Sequence, residues 1–189
     1  MTSYGKRTNL KNKGTGAGGS NTNKNGLSYE SLTDLSDKMK IINTNEEYKT
    51  ITFNDYPDIK FMKLEKNNLF KYMDEKNERD KTIPKAHGCK VQDDSYLNEL
   101  KKYIVILEKK FQQCGGSVCE KLQTADFKQK HFKKTFPNYN ILYIYVLSDW
   151  FKHNCDAELQ NLDEIGIKYF WGDSDTYKDD IINYIVNCK

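Results

Sequence analysis

The chain has no CxxC pair, no long apolar run and no phosphate-loop signature, and its first 24 residues contain no acid. Its five cysteines (Cys89, Cys114, Cys119, Cys155, Cys188) are odd in number and include no CxxC pair, so neither a zinc knuckle nor a disulfide framework is indicated and free thiols in a reducing compartment are expected. The longest clear apolar run, Ile141 to Leu147, is far too short to span a bilayer, and MTSYGKRTNLKNKG at the start has no apolar signal core. A soluble, cytoplasmic protein with no membrane partner is expected. The glycine-rich segment 14–19 lacks GxxxxGK[ST], which excludes a P-loop nucleotide site.

The charges present are unevenly placed. The net charge is only +3, but residues 1–24 carry Lys6, Arg7, Lys11, Lys13 and Lys24, whereas acids crowd the stretch from Asp149 to Asp180. The first 24 residues are rich in Gly, Asn, Thr and Ser and read as a flexible basic arm, either a solvated tail or a clamp for a polyanion. At 189 residues, the remaining 25–189 fit a single domain.

Element order along the chain predicts an α/β fold. A first helix is expected from Leu27 to about Lys40, with Ser28 as N-cap. Strands are expected at Tyr48–Asn54 and Ile59–Leu64 around the turn Asp55-Tyr56-Pro57-Asp58, followed by a short helix over Asn68–Asn77. After Gly115-Gly116 a longer helix is expected over Val118–Phe136, its core stripe formed by Leu122, Ala125, Gln129, Phe132 and Phe136. Asn140–Leu147 is nearly all apolar and reads as a central strand covered on both faces. Helices near Asp156–Leu162 and Tyr177–Asn187, with a strand at Ile167–Trp171 between them, complete the order.

The most informative segment is VQDDSYLNELKKYIVILEKK, residues 91–110. A turn between Leu100 and Lys101 folds it into a hairpin that sets Asp93 opposite Glu108, where cross-strand Cβ atoms lie roughly 4.5–5.5 Å apart. Side chains alternate faces along a strand, so Lys110 shares the face of Glu108 and Lys109 points away. Two carboxylates and a lysine at such a position form a divalent-metal phosphodiester site. Mg²⁺ favours carboxylate and phosphate oxygens, and the lysine steadies the attacking water or the developing charge. Acid-x-Lys triplets also occur elsewhere, as at Glu47/Lys49 and Asp126/Lys128, but Glu108 closes the apolar run Tyr103–Leu107 and the others close no such strand.

This hairpin resembles the active site of the PD-(D/E)XK nuclease superfamily, and the wider wording is similar to that of type II restriction-endonuclease-like proteins. The matching stretches are GTGAGGSNTNKNGLSYE (14–30), IPKAHGCKVQDDSY (83–96), ILEKKFQQCGGSVCEKLQTADFK (106–128) and NILYIYVLSDWF (140–151), the third being the most specific. The resemblance implies a restriction-endonuclease-like core, a mixed central sheet flanked by helices. It also implies Mg²⁺-dependent cleavage of double-stranded DNA to 5′-phosphate and 3′-hydroxyl ends. Asp93 and Glu108 are the implied metal ligands, Lys110 is the water-positioning group, and Glu30 is a helix glutamate reaching the site. Proline usually precedes the aspartate in such proteins, whereas Gln92 stands here and Asp94 follows, so Asp93 and Asp94 remain alternative ligands.

Lys121 and Lys128, seven apart, and Lys130, four before Lys134, are candidate DNA contacts on the helix after the active-site strand, although solvated helix lysines look the same. Gln112 is a candidate for orienting substrate. His87, beside Gly88, is a further candidate that reads equally as a structural histidine. Cutting both strands implies a homodimer with a two-fold symmetric target, and a restriction role leaves room for a cognate DNA methyltransferase. The other readings are a repair or selfish-element nuclease and a non-catalytic DNA-binding protein on a decayed nuclease fold.

Overall fold

A computed structural model describes residues 29–112 and 118–188. The basic arm, Ser28, Cys114 and the Gly115-Gly116 pair lie outside the described residues. The chain builds an α/β domain around one seven-stranded mixed sheet flanked by helices, its strands following one another in chain order. The strands are β1 (Met39–Thr44), β2 (Lys49–Phe53), β3 (Tyr56–Lys66), β4 (Gln92–Asn98), β5 (Tyr103–Lys110), β6 (Asn140–Leu147) and β7 (Lys168–Trp171). The helices are α1 (Asn68–Glu75), α2 (Val118–Gln123), α3 (Ala125–Thr135), α4 (Asp156–Glu164) and α5 (Tyr177–Asn187).

Strands β1 to β5 are antiparallel neighbours, whereas β5, β6 and β7 run parallel. Parallel neighbours need a crossover, which α2 and α3 supply between β5 and β6 and α4 supplies between β6 and β7. The pleat divides the core. Leu97, Ile104, Ile106, Tyr143, Tyr145 and Leu147 face one layer with Leu69, Leu122, Phe132 and Leu162 from the helices. Tyr96, Val105, Leu107, Leu142, Ile144 and Val146 face the other, against Ile181, Ile182 and Ile185 of α5. Strand β6 is therefore covered on both faces, as its continuous apolar run requires.

Four expectations are corrected. The first helix is described only over 29–32; Ser36–Lys38 is a 3-10 turn, and Met39–Thr44, with its β-branched Ile41, Ile42 and Thr44, is the edge strand β1. The turn between β2 and β3 is Asn54-Asp55, and Pro57 lies inside β3 where the register shift from Thr52 to Phe53 leaves it out of the ladder, the strand position a proline tolerates. The expected long helix divides at Thr124, whose Oγ1 donates to the Lys121 carbonyl at 2.9 Å, a local bond that competes with helix continuation. Finally, Cys119 and Cys155 are not free thiols but form a disulfide between α2 and the start of α4, with Cα atoms 5.8 Å apart, inside the range a disulfide needs. Among the described residues, no helix is long and apolar enough to cross a membrane.

Candidate active site

The site grows from the β4–β5 hairpin. Asn98 Oδ1 accepts the Lys101 amide at 2.8 Å, and Lys102 takes a left-handed φ of 54°, closing the turn. Asn98 then pairs with Tyr103, and the ladder runs back to Asp94 opposite Leu107. The pairing ends there, and Asp93 and Glu108 are the next residues beyond it on the two strands. Asp93 Oδ2 accepts the backbone N–H of Lys109 at 2.7 Å, which pins the aspartate to the adjoining strand end.

On the face shared with α3, Lys110 Nζ lies 2.6 Å from Glu108 Oε2 and 3.6 Å from Asp93 Oδ2 and donates to the Lys109 carbonyl at 3.1 Å. Lys128 reaches down from α3 to within 3.4 Å of Glu108 Oε1. The tyrosines Tyr143 and Tyr145, buried on β6, complete the surroundings of Glu108, which pairs in register with Tyr145. Burial raises the Glu108 carboxyl, but Lys110 and Lys128 outweigh it and hold the group below its ordinary value, so it is ionised at neutral pH. Burial alone would lower Lys110; Glu108 and Asp93 reverse this and raise it, so Lys110 is an ammonium. It donates hydrogen bonds and positive charge and cannot act as a base while so paired. Tyr145 is pushed up to about 12, by burial first and then by Glu108, and stays neutral.

The opposite face carries a second, separate set. Lys109 Nζ pairs with Asp94 Oδ2 at 2.7 Å and donates to the Glu30 carbonyl at 3.1 Å. Asp94 Oδ1 lies 3.4 Å from Lys63 Nζ, which also reaches Asp34 at 3.0 Å. Asp94, Lys63 and Lys109 are all buried, so these pairs are held in place by packing as well as by charge. Glu30 and Asp93 share a cleft of about 300 Å³ with Asp34, Glu65, Asp94 and Lys109. Burial and then Asp93 raise the Glu30 carboxyl, with Lys110 and Lys109 opposing.

Asp93, Glu108 and Lys110 thus come together, with Lys128 added and Glu30 at the rim. Asp94 turns to the other face with Lys109. Lys121 and Lys130 are exposed, the latter paired with Asp126 at 2.7 Å. His87 is exposed in the 3-10 turn His87–Cys89. Gln112 is buried beyond the end of β5, its backbone N–H donating to Ser148 Oγ and its carbonyl accepting from that hydroxyl, both at 3.1 Å. No family model matches the chain, and comparisons with curated proteins and with solved structures found no match.

The donors around Lys110 suit a hard cation in kind: the carboxylates of Asp93 and Glu108, that of Glu30 nearby, and the Lys109 carbonyl are all oxygen ligands. A second ligand group, Cys119, Cys155 and Glu158, has its atoms within 4.8 Å of one another, but its sulfurs are joined to each other. Three features escaped the sequence reading: the inward turn of Lys128, the tyrosines beside Glu108, and the Lys63–Asp94–Lys109 set. The Tyr143-Ile144-Tyr145 alternation signals the second, since both rings must share a face of a buried strand.

Proposed function

We propose that the protein is a Mg²⁺-dependent DNA endonuclease of the PD-(D/E)XK, type II restriction-like kind, hydrolysing double-stranded DNA to 5′-phosphate and 3′-hydroxyl ends. The observation that carries this reading is the convergence of Asp93, Glu108 and Lys110 on one sheet face at the open end of a hairpin. The mixed sheet flanked by helices, with its antiparallel β3–β4–β5 meander, α2/α3 crossover and parallel strand β6, supports this reading.

Asp93 and Glu108 would hold the Mg²⁺, with Glu30 and the Lys109 carbonyl at hand. Bound there, the cation supplies Lewis-acid charge for the scissile phosphate. Lys110, kept protonated by its two carboxylates, offers an ammonium to the negative charge that grows on the phosphoryl oxygens. Glu108, anchored in a buried strand, fixes where that ammonium starts from. The exposed lysines Lys121 and Lys130 are available to DNA phosphates on the crossover helices. Double-strand cutting requires a second copy of the site, so a homodimer goes with this reading.

Supercoiled plasmid incubated with the protein in Mg²⁺ should be nicked and linearised, with no cleavage in EDTA and cleavage slowed by about 100-fold or more in Lys110→Met. Sequencing the ends should give 5′-phosphates at a fixed position. DNA binding without any cleavage under a range of divalent cations would reject the nuclease and favour a non-catalytic DNA-binding role.

A further inference from the structure

We infer that Lys128 is a positioning residue for Glu108: from α3 it holds one carboxylate oxygen in place, so that the other oxygen stays aimed at the site when Lys110 gives way there to a divalent cation. The inference rests on the nuclease reading and deepens it. As a helix lysine, Lys128 is expected to face solvent with Lys121 and Lys130, yet its side chain is only 14% exposed and the Glu108 side chain 7%. Its ammonium is 3.4 Å from Glu108 Oε1, whereas Lys110 engages Oε2 at 2.6 Å. Two lysines from two elements therefore divide the two oxygens of one carboxylate.

The stem of Lys128 is confined as well. It runs past Gly88, where an added Cβ would lie 3.4 Å from Lys128 Cε, so the His87–Cys89 turn walls the side chain in. Among the described residues, Asp93, Glu108, Lys110 and Lys128 form the ion pairs of this face, with Glu30 at its rim and neutral Tyr143, Tyr145 and Cys89 around them. A carboxylate this buried cannot give up its only cation cheaply. With Lys128 in place it has two, and the exchange of Lys110 for a divalent cation leaves one ion pair intact. Lys128 repels the incoming cation, but the orientation it imposes on Glu108 outweighs that repulsion, and without Lys128 the carboxylate loses this fixed orientation.

The test uses Mn²⁺ as the probe on the full chain without DNA, its affinity read by electron paramagnetic resonance, and separately measures DNA affinity without any divalent cation across a salt series. Lys128→Met should weaken Mn²⁺ binding about 10-fold, at the lower end of the loss usual for removing a partner of a metal ligand, and Lys128→Arg should restore most of it. DNA affinity without divalent cation and its salt slope should be unchanged in both variants. Unaltered or tighter Mn²⁺ binding by Lys128→Met overturns the inference. So does a loss of DNA affinity with a salt slope shallower by about 0.9, the mark of a phosphate contact. Circular dichroism checks folding, and Lys128→Gln replaces Lys128→Met under the same criteria if the latter does not fold. Wild-type protein that binds no Mn²⁺ removes the nuclease reading itself, an outcome distinct from any difference among the variants.

Discussion

Lys109 and Lys110 are neighbours in the chain and end on opposite faces of the sheet, Lys109 2.7 Å from Asp94 and Lys110 2.6 Å from Glu108. The pleat of β5 produces the division, and the consequence is that two identical charges serve different ends. Lys109 ties the sheet to the segment carrying Glu30, whereas Lys110 sits among the acids that the proposed chemistry uses.

Lys110→Met should lower single-turnover cleavage by about 100-fold or more, the scale of losing a positioned charge-stabilising donor, with little change in DNA affinity. Lys109→Met should instead cost stability. It leaves buried Asp94 with Lys63 alone, so the loss should be about 2–3 kcal/mol, somewhat below that for stranding a buried charge outright. Urea unfolding and cleavage rates measured on both variants separate the two roles, and an inactive but fully stable Lys109→Met would contradict them.

The two adjacent aspartates divide in the same way. Asp93→Asn should abolish Mg²⁺-dependent cleavage while the protein keeps its melting temperature, because the amide oxygen can still accept the Lys109 N–H. Asp94→Asn should retain cleavage at temperatures where it is folded and lose about 3 kcal/mol of stability, since two buried ammoniums lose their shared partner. The reverse pattern would make Asp94 the metal ligand.

Much of the hairpin was legible because its signals are local and agree with one another. A polar turn, a strand of five apolar residues and period-two alternation together set the pairing of Asn98 with Tyr103, and every later pair follows from that one. Strand β6 was legible for the same reason. Strand β1 was not: Ile41 and Ile42 are 56% and 49% exposed, so the strand has no buried face to impose alternation. The break at Thr124 carries one side-chain hydrogen bond, inside a core stripe that Gln129 alone interrupts. The inward turn of Lys128 ends on Glu108, twenty residues earlier in the chain, a long-range pairing that helix periodicity cannot report.

The disulfide was illegible because its cysteines are 36 residues apart and the total number is odd. Closing a loop of this length should stabilise the fold by about 3–4 kcal/mol through the unfolded chain. Urea unfolding with and without a phosphine reductant should show that difference, and Cys119→Ser/Cys155→Ser should match the reduced protein and be insensitive to reductant. Equal midpoints in both conditions would mean that the bond does not form.

Asp34, joined to the hairpin through Lys63 and Asp94, provides a test of acid stability. Burial raises its carboxyl, but hydrogen bonds from Ser36 and the charge of Lys63 outweigh burial and hold it at about 2, below its ordinary value of 3.8. A group depressed on folding contributes stability that is fully present above its unfolded value and is lost as pH falls through its folded one. Wild type should therefore be more stable than Asp34→Asn at pH 6, and the gap should narrow between about pH 4 and pH 2, where the native carboxylate takes up its proton. Urea midpoints of the two proteins across this range give the comparison directly. A gap independent of pH would mean that Asp34 acts through the shape of the Ser36 turn, not through its charge on Lys63.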